Sequence, residues 1–215
     1  MNDSALMIVD MQRYYLESDS AYSRYFDYLY PGSLRYIKQR ADEIVIPNII
    51  EIAKLFRRQG LQVIYLRLCG EKSDRSDLHR FFMNSYIEGK ERGFEGVYPL
   101  FSEPEADVVE QLRPEPSDII INKTTFSPFA STGIDEMLKK MGINSLVFTG
   151  LATSQCVETT ARDASDRGYE VIHIEDAQAD YDEMTHNASL FSSRGVCGGV
   201  LFDTEEYLSY LEDFI

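Results

Sequence analysis

The chain alternates short apolar runs with longer amphipathic segments, a pattern that predicts strands and helices in turn. Residues 5–9 form a continuous apolar run that ends in Asp10, which is typical of a strand buried on both faces of a parallel sheet. Similar runs predict five further strands, at residues 62–67, 118–122, 145–149, 170–174 and 200–202. Helical spacing of apolar residues predicts helices at residues 44–58, 133–141, 156–167, 182–193 and 204–214. We therefore expect an α/β protein of three layers, with a six-stranded, mostly parallel sheet and helices on both of its faces.

Two segments interrupt this alternation. Residues 13–32 are rich in tyrosine and have no clear period, so we expect an irregular or partly helical excursion that closes at Pro31 and Gly32. Residues 69–103 are polar and mixed, and a connection of that length is usually functional or contains small elements of its own. Neither segment has the composition of a flexible linker, and residues 1–215 are predicted to form a single domain.

Composition excludes several classes of partner. The 215 residues include 36 acidic and 21 basic side chains, a net charge of −15. Such a surface repels phosphate backbones and anionic lipids, so neither nucleic acid nor a membrane is an expected partner. The three cysteines, Cys69, Cys156 and Cys197, form neither a disulfide framework nor a C-x-x-C pair, and Cys69 and Cys197 are predicted to be structural. Because the chain has no long apolar run and no leader-like start, the expected location is the reducing cytoplasm.

Three polar residues stand where predicted strands end. Asp10 follows the first strand, Lys123 follows the third, and Cys156 opens the helix after the fourth. Because the carboxyl ends of parallel strands share one rim of the sheet, we expect these side chains to meet. The partial positive charge of a helix N-terminus favours a thiolate, which predicts a lowered pKa for Cys156. Taken singly, the residues also fit a buried structural cysteine, a turn cap and a solvated lysine; their joint occurrence favours chemistry.

The three groups have complementary chemical roles. Asp10 can take the thiol proton and return it to a leaving amine, and Lys123 can stabilise both the thiolate and the ionised carboxylate. The Cys156 thiolate can then attack a carbonyl carbon to give an acyl-enzyme that water hydrolyses. Backbone N–H groups of residues 151–156 can face the oxyanion.

Three blocks of the sequence resemble one family, the isochorismatase-like cysteine hydrolases. The blocks are residues 5–12 (ALMIVDMQ), residues 122–129 (NKTTFSPF) with Thr132, and residues 150–164 (GLATSQCVETTARDA). Their order along the chain is a more specific signal than any block alone. Further matches are Gly168-Tyr169, Asp176-Ala177, His186 and Gly199-Val200. The resemblance covers nearly the whole chain apart from residues 13–40 and 69–103.

The resemblance implies a Rossmann-like strand order with Asp10, Lys123 and Cys156 as a catalytic triad. It also implies a cis peptide between Leu151 and Ala152, and an oxyanion hole formed by the backbone N–H groups of Ala152 and Cys156. Members of the family are often dimers or tetramers, so a homo-oligomer is expected.

The expected function is hydrolysis of a C–N bond in a small amide, ureido or carbamoyl compound, through a thioester on Cys156. The family's namesake enzymes cleave a vinyl ether without needing the cysteine, and its retention here favours amide chemistry. Vinyl-ether hydrolysis and a non-catalytic binding role on the same scaffold are the alternatives. A pocket closed by residues 13–30 would favour the binding role.

The sequence departs from the metal site of the family's nicotinamidases, which uses an Asp and several histidines after the second strand. Only three histidines exist in the chain, and His79 is the nearest to that position, so neither a metal nor another cofactor is expected and nicotinamidase activity is discounted. A cluster of Cys69, Asp74, Asp77 and His79 is conceivable, but its spacing fits no standard site.

Four residues are candidate substrate contacts: Tyr15, Arg67, Phe129 and Leu151. Tyr15 and Phe129, together with Tyr14, could wall an apolar pocket. A carboxylate of the substrate could pair with Arg67, Arg75, His79 or Arg80. The tyrosine-rich segment could equally pack against a neighbouring subunit, since tyrosine is enriched at interfaces.

Overall fold

The computed structural model describes residues 3–195 and 199–213 and contains one six-stranded sheet, which confirms the predicted α/β architecture. The strands lie in the order β3-β2-β1-β4-β5-β6, and every neighbouring pair is parallel. The strands are β1 Ser4–Val9, β2 Gln62–Leu68, β3 Ile119–Lys123, β4 Ser145–Leu151, β5 Glu170–Ala179 and β6 Val200–Phe202. Cys197 lies outside the described residues.

Helices follow the strands as the periodicity predicts, with two differences. The helices are α1 Arg13–Leu16, α2 Ala21–Leu29, α3 Arg35–Arg40, α4 Ile46–Arg58, α5 Arg80–Glu91, α6 Ile134–Lys140, α7 Glu158–Asp166, α8 Glu183–Ser193 and α9 Thr204–Asp213. The helix predicted at 44–58 begins earlier, because α3 runs into α4 through a π-helical turn at Ala41–Val45. The excursion expected at 13–32 is mostly helical, since the Ser20 hydroxyl caps α2 by accepting a hydrogen bond from the Ser23 N–H. No helix among the described residues is long and apolar enough to cross a membrane.

Two hydrophobic cores, one on each face of the sheet, explain why β1 is apolar from Ala5 to Val9. Leu6 and Ile8 pack into the core that includes residues of α4 and α9. Ala5, Met7 and Val9 pack into the opposite core, which includes residues of α6 and α7. Successive side chains of a strand point to opposite faces, so a central strand covered on both sides needs no polar position.

The carboxyl ends of β1 and β4 approach one another closely. Gly150 has φ +101°, and a Cβ atom there would lie 2.7 Å from the Val9 nitrogen and closer still to its carbonyl oxygen. Glycine is therefore required on both conformational and steric grounds. Next to this contact, the buried Gln12 side chain donates to the carbonyls of Leu68 and Ala106 and accepts from the Leu68 N–H, which fixes the ends of β1 and β2 together.

Candidate active site

Asp10 stands at the first turn after β1 in an unusual backbone conformation. Its φ is +51°, in the left-handed region that a side-chain-bearing residue seldom adopts, and its N–H is held by the Leu66 carbonyl at 3.0 Å. The carboxyl group is buried, and its Oδ2 accepts a hydrogen bond from Lys123. Oδ1 has no hydrogen-bond partner among the described residues. One carboxylate oxygen thus remains available to accept a proton.

Lys123 ends β3 and is completely buried. Because β2 lies between β3 and β1, its side chain reaches past the end of β2 to the Asp10 carboxylate. The ammonium nitrogen Nζ lies 2.9 Å from Asp10 Oδ2, 3.3 Å from Cys156 Sγ and 3.2 Å from the carbonyl oxygen of Thr125. Burial opposes the charged form, but the charge of Asp10 and the hydrogen bonds from Nζ to Asp10 and Cys156 outweigh it and raise the pKa of Lys123. All three N–H groups are used, and the side chain stays an ammonium.

Cys156 lies in a π-helical turn, Thr153–Val157, that precedes α7. Its side chain faces Lys123, and the residue is only 4% exposed. The expectation of a lowered pKa was wrong: burial, followed by the charge of Asp10, raises the pKa of the Cys156 thiol, although Lys123 opposes the shift. Desolvation of a thiolate outweighs the helix terminus in so closed a site. The resting protein therefore holds a neutral thiol beside an ion pair.

The turn that carries Cys156 is held by buried polar side chains that the sequence did not single out. Asp180, which follows β5, accepts hydrogen bonds from the backbone N–H of Ser154 at 2.6 Å and of Tyr181 at 2.8 Å. The peptide between Leu151 and Ala152, at the start of this turn, is cis. The only signal in the sequence for Asp180 was its position directly after a strand. The prediction missed it because β5 extends five residues beyond its predicted end.

His186 on α8 also supports the turn, at the position that the family resemblance indicated. Its Nδ1 lies 2.8 Å from Thr153 Oγ1, and its Nε2 lies 3.4 Å from a guanidinium nitrogen of Arg40. Since a guanidinium only donates, Nε2 accepts and the Nδ1–H donates to the threonine hydroxyl. Burial, together with the Arg40 charge, lowers the pKa of His186 to about 4.

A narrow cavity opens above Asp10 and Cys156. It has a volume of about 20 Å³, room for one water-sized group. Tyr15 and Leu151, two of the four candidate substrate contacts, line it, as does Ala152. The remaining wall is mostly aromatic: Tyr14, Tyr22, Phe82, Tyr98 and Tyr181, with Leu68 and Gln155. Part of the tyrosine-rich segment therefore forms a wall of the cavity.

The other two candidate contacts lie outside this cavity. The Arg67 guanidinium donates to Asn122 Oδ1 at 2.9 Å and to Asp107 Oδ1 at 2.8 Å, which turns it toward β3. Phe129 packs in the core shared with α6 and α7, with its ring against Tyr169. Neither residue is among those that line the cavity, because local partners hold both side chains elsewhere.

The conceivable metal cluster after β2 is not assembled. Asp77 accepts from the N–H groups of Glu71 and Lys72, and Asp74 accepts from the Ser76 N–H. His79 caps α5 through its Nδ1. Within the described residues, no three His, Cys, Asp or Glu side chains are placed to hold a metal ion together. The absence of a metal and of other cofactors stays a prediction.

Comparison with known proteins gives consistent matches across the chain. The isochorismatase domain model matches residues 4–206. Ureidoacrylate amidohydrolase RutB of Acinetobacter baylyi is 29% identical over 96% of this chain and 82% of its own length. The same enzyme of Variovorax paradoxus is 30% identical over 82% of this chain and 68% of its own length. A crystal structure of a cysteine hydrolase from Pseudomonas syringae superposes with a TM-score of 0.81 at 26% identity, covering 100% of this chain and 94% of the other.

Proposed function

Because this chain belongs to the isochorismatase family of hydrolases, we propose that it is a cysteine-dependent amidohydrolase. It cleaves a C–N bond of a small amide, ureido or carbamoyl compound, with Asp10, Lys123 and Cys156 as its catalytic triad. The observation that carries this proposal is the position of one ammonium group, Lys123 Nζ, within hydrogen-bond distance of both Asp10 Oδ2 and Cys156 Sγ. The similarity to amidohydrolases named for a ureido substrate supports the choice of bond.

The first half-reaction forms a thioester. As the substrate carbonyl approaches, Asp10 takes the thiol proton on its unpartnered Oδ1, and Cys156 Sγ attacks the carbonyl carbon. The raised pKa of the thiol means that proton transfer accompanies the attack, since little thiolate exists beforehand. The backbone N–H groups of Ala152 and Cys156, both residues of the cavity wall, stabilise the oxyanion. The C–N bond then breaks, and Asp10 returns the proton to the leaving nitrogen.

The second half-reaction releases the acid. Asp10, again a carboxylate, removes a proton from a water molecule that attacks the thioester carbonyl. The carbon–sulfur bond breaks, and the proton on Asp10 restores the thiol of Cys156. Throughout, the Lys123 ammonium keeps negative charge stable at whichever of its two partners carries it.

The non-catalytic alternative would be favoured by a pocket closed by residues 13–30. Tyr14, Tyr15 and Tyr22 do narrow the cavity. Asp10 and Cys156 nevertheless line that same cavity, and each keeps 4% exposure. With membership of a hydrolase family, this arrangement favours an enzyme that admits a compact substrate.

The test is ammonium release from a panel of small amides, ureas and carbamoyl acids, for the parent protein, Cys156→Ala and Cys69→Ala. Cys69 is the matched control because it is also a buried free thiol, and its Sγ hydrogen-bonds to the Arg67 carbonyl and not to a triad side chain. We expect release by the parent and Cys69→Ala, no release by Cys156→Ala, and a thioester mass on Cys156 after rapid acid quench. Release that survives Cys156→Ala would overturn the nucleophile assignment, and vinyl-ether cleavage that survives it would establish the namesake type of reaction.

A further inference from the structure

The cavity above Cys156 presents phenol hydroxyls that the protein itself does not satisfy. Tyr15 and Tyr22 are engaged, since their hydroxyls lie 2.9 and 3.3 Å from the Tyr181 hydroxyl. Tyr14 and Tyr98 also line the cavity and are each only 3% exposed. Neither of their hydroxyls makes a hydrogen bond within the described part of the chain. A hydroxyl at a cavity wall that has no protein partner is free to bond with a ligand that enters the cavity.

These two hydroxyls stay protonated and uncharged. Burial, with the nearby Asp10 charge, raises the pKa of Tyr14 well above its usual value, and burial likewise raises that of Tyr98. Each can therefore donate one hydrogen bond and accept another. Such groups match a carbonyl oxygen or an amide N–H, whereas a carboxylate in a closed site needs a cation.

No cation is available in this wall. None of the residues lining the cavity within the described chain is Lys, Arg or His. Lys123 lies behind Asp10 and Cys156, and its three N–H groups already have acceptors. A carboxylate brought into this cavity would be desolvated without a counter-charge, which opposes its binding.

The surface next to the cavity does not supply a counter-charge either. A larger groove of about 520 Å³ shares Tyr14 with the cavity. It is lined by two arginines, Arg24 and Arg75, and by four carboxylates: Asp19, Glu95, Glu103 and Glu105. Arg75 is already paired with Glu103 at 3.1 Å. An anionic tail that extended into this groove would meet an excess of negative charge.

We propose that the substrate is a compact, planar amide or ureide without a carboxylate, held by the hydroxyls of Tyr14 and Tyr98 between the aromatic walls. This inference rests on the proposed amidohydrolase function and narrows its substrate class. It separates this chain from its relatives named for ureidoacrylate, a substrate that carries a carboxylate by definition. Because the cavity holds only about 20 Å³, the aromatic walls move apart when the substrate enters.

The first experiment compares substrates that differ only in charge. Ureidoacrylate and N-carbamoylglycine are assayed beside their methyl esters, at a salt concentration high enough to screen the net charge of the chain. We expect kcat/KM for the esters to exceed that for the acids by at least about 100-fold. Cys156-dependent turnover with equal or better use of the acids would overturn this inference while leaving the amidohydrolase proposal intact.

Tyr14→Phe and Tyr98→Phe test the two hydroxyls without removing the rings. Each is expected to lower kcat/KM for the esters about 10-fold, because a polar group of the substrate loses its partner in a closed site. Tyr25→Phe is the matched control, since the buried Tyr25 lies outside the cavity lining and donates to Glu88. Activity unchanged in both cavity variants would refute their role.

Alkylation of Cys156 provides a readout that needs no turnover. Iodoacetamide and iodoacetate are of similar size, and only the second is charged. Their rates at Cys156 are followed by peptide mass mapping at high salt and divided by their rates with glutathione. A preference for iodoacetamide of at least about 100-fold supports the inference of an uncharged substrate, even if no panel compound is hydrolysed. The absence of hydrolysis would instead contradict the amidohydrolase proposal. Equal normalised rates of the two reagents, or no reaction with either, would overturn the inference of an uncharged substrate.

Discussion

Replacing Lys123 by Met tests whether the buried Lys123–Asp10 ion pair stabilises the fold in addition to its proposed role in catalysis. The substitution keeps a side chain of similar length and removes the charge. Because Lys123 has no exposed surface and the side chain of Asp10 is only 6% exposed, water cannot replace the ammonium without opening the rim of the sheet. Asp10 would be left as a buried carboxylate with neither oxygen hydrogen-bonded, since Oδ1 already lacks a partner.

The expected loss of unfolding free energy is about 3–5 kcal/mol, the usual result of removing one partner of a buried pair. Asp10→Asn in the Lys123→Met background removes the stranded charge and should recover at least about 2 kcal/mol of this loss. The control is Lys139→Met, which breaks the exposed pair of Lys139 with Asp135 on α6 and should change the unfolding free energy little, since water solvates both charges.

Urea unfolding followed by far-ultraviolet circular dichroism measures these four proteins and Asp10→Asn alone, and a constant m-value validates the comparison. The chain contains no tryptophan, so backbone ellipticity is a better probe than indole fluorescence. A loss below about 1 kcal/mol for Lys123→Met would refute the reasoning. The reasoning would also be refuted if the losses of unfolding free energy for Lys123→Met and Asp10→Asn add up to that of the double variant within about 0.5 kcal/mol. The two residues of a strong buried pair must be coupled, so their losses should not be additive.

Two further predictions concern the frame around the site. Burial and the Arg40 charge lower the pKa of His186 to about 4 in the folded protein, whereas an unfolded histidine titrates at about pH 6.5. As the pH falls from about 6.5 to 4, the unfolded chain binds the proton first, and the free energy of unfolding decreases by up to about 3 kcal/mol. In urea titrations at both pH values, His186→Asn should lose that acid sensitivity, and the control His79→Asn, at an exposed position, should keep it. An equal change of unfolding free energy with pH in the two variants would contradict this. Gly150→Ala should cost at least about 3 kcal/mol through strain and overlap with β1, whereas Gly60→Ala, with φ +69° and open space around it, should cost about 1 kcal/mol. Matching thermal unfolding of the two alanine variants would exclude the close approach as the cause.

The strands and their shared rim could be predicted because a strand buried on both faces of the sheet appears in the sequence as a continuous apolar run. In β1 the apolar run is unbroken, since its side chains alternate between two cores. The carboxyl ends of parallel strands share one edge of the sheet, so residues at those ends are expected to lie close together. In the structure, Lys123 is within hydrogen-bond distance of both Asp10 and Cys156. The family assignment rested on the same three blocks and is confirmed.

What could not be predicted depended on tertiary surroundings. The pKa of Cys156 is decided by how completely the tyrosine wall and the ion pair exclude water, which no local pattern records. α2 was hidden because the residues it buries, Tyr22, Ser23 and Tyr25, are polar or amphipathic and do not form a plain apolar stripe. Arg67 was misplaced because its partner Asp107 comes from a distant part of the connection. The single domain, the homo-oligomer and the cytoplasmic location stay predictions.

The strand order has a consequence for synthesis of the chain. β1 lies between β2 and β4, so a nascent chain that has completed only β1, β2 and β3 presents β1, apolar from Ala5 to Val9, as an open edge. Open apolar edges are templates for pairing with other chains. Moreover, Lys123 stands 113 residues after Asp10, and the carboxylate cannot be buried with its counter-charge until β3 has been made. Until β4 has been made, one edge of β1 therefore stays open to pairing with other chains, which makes this stage of synthesis prone to aggregation.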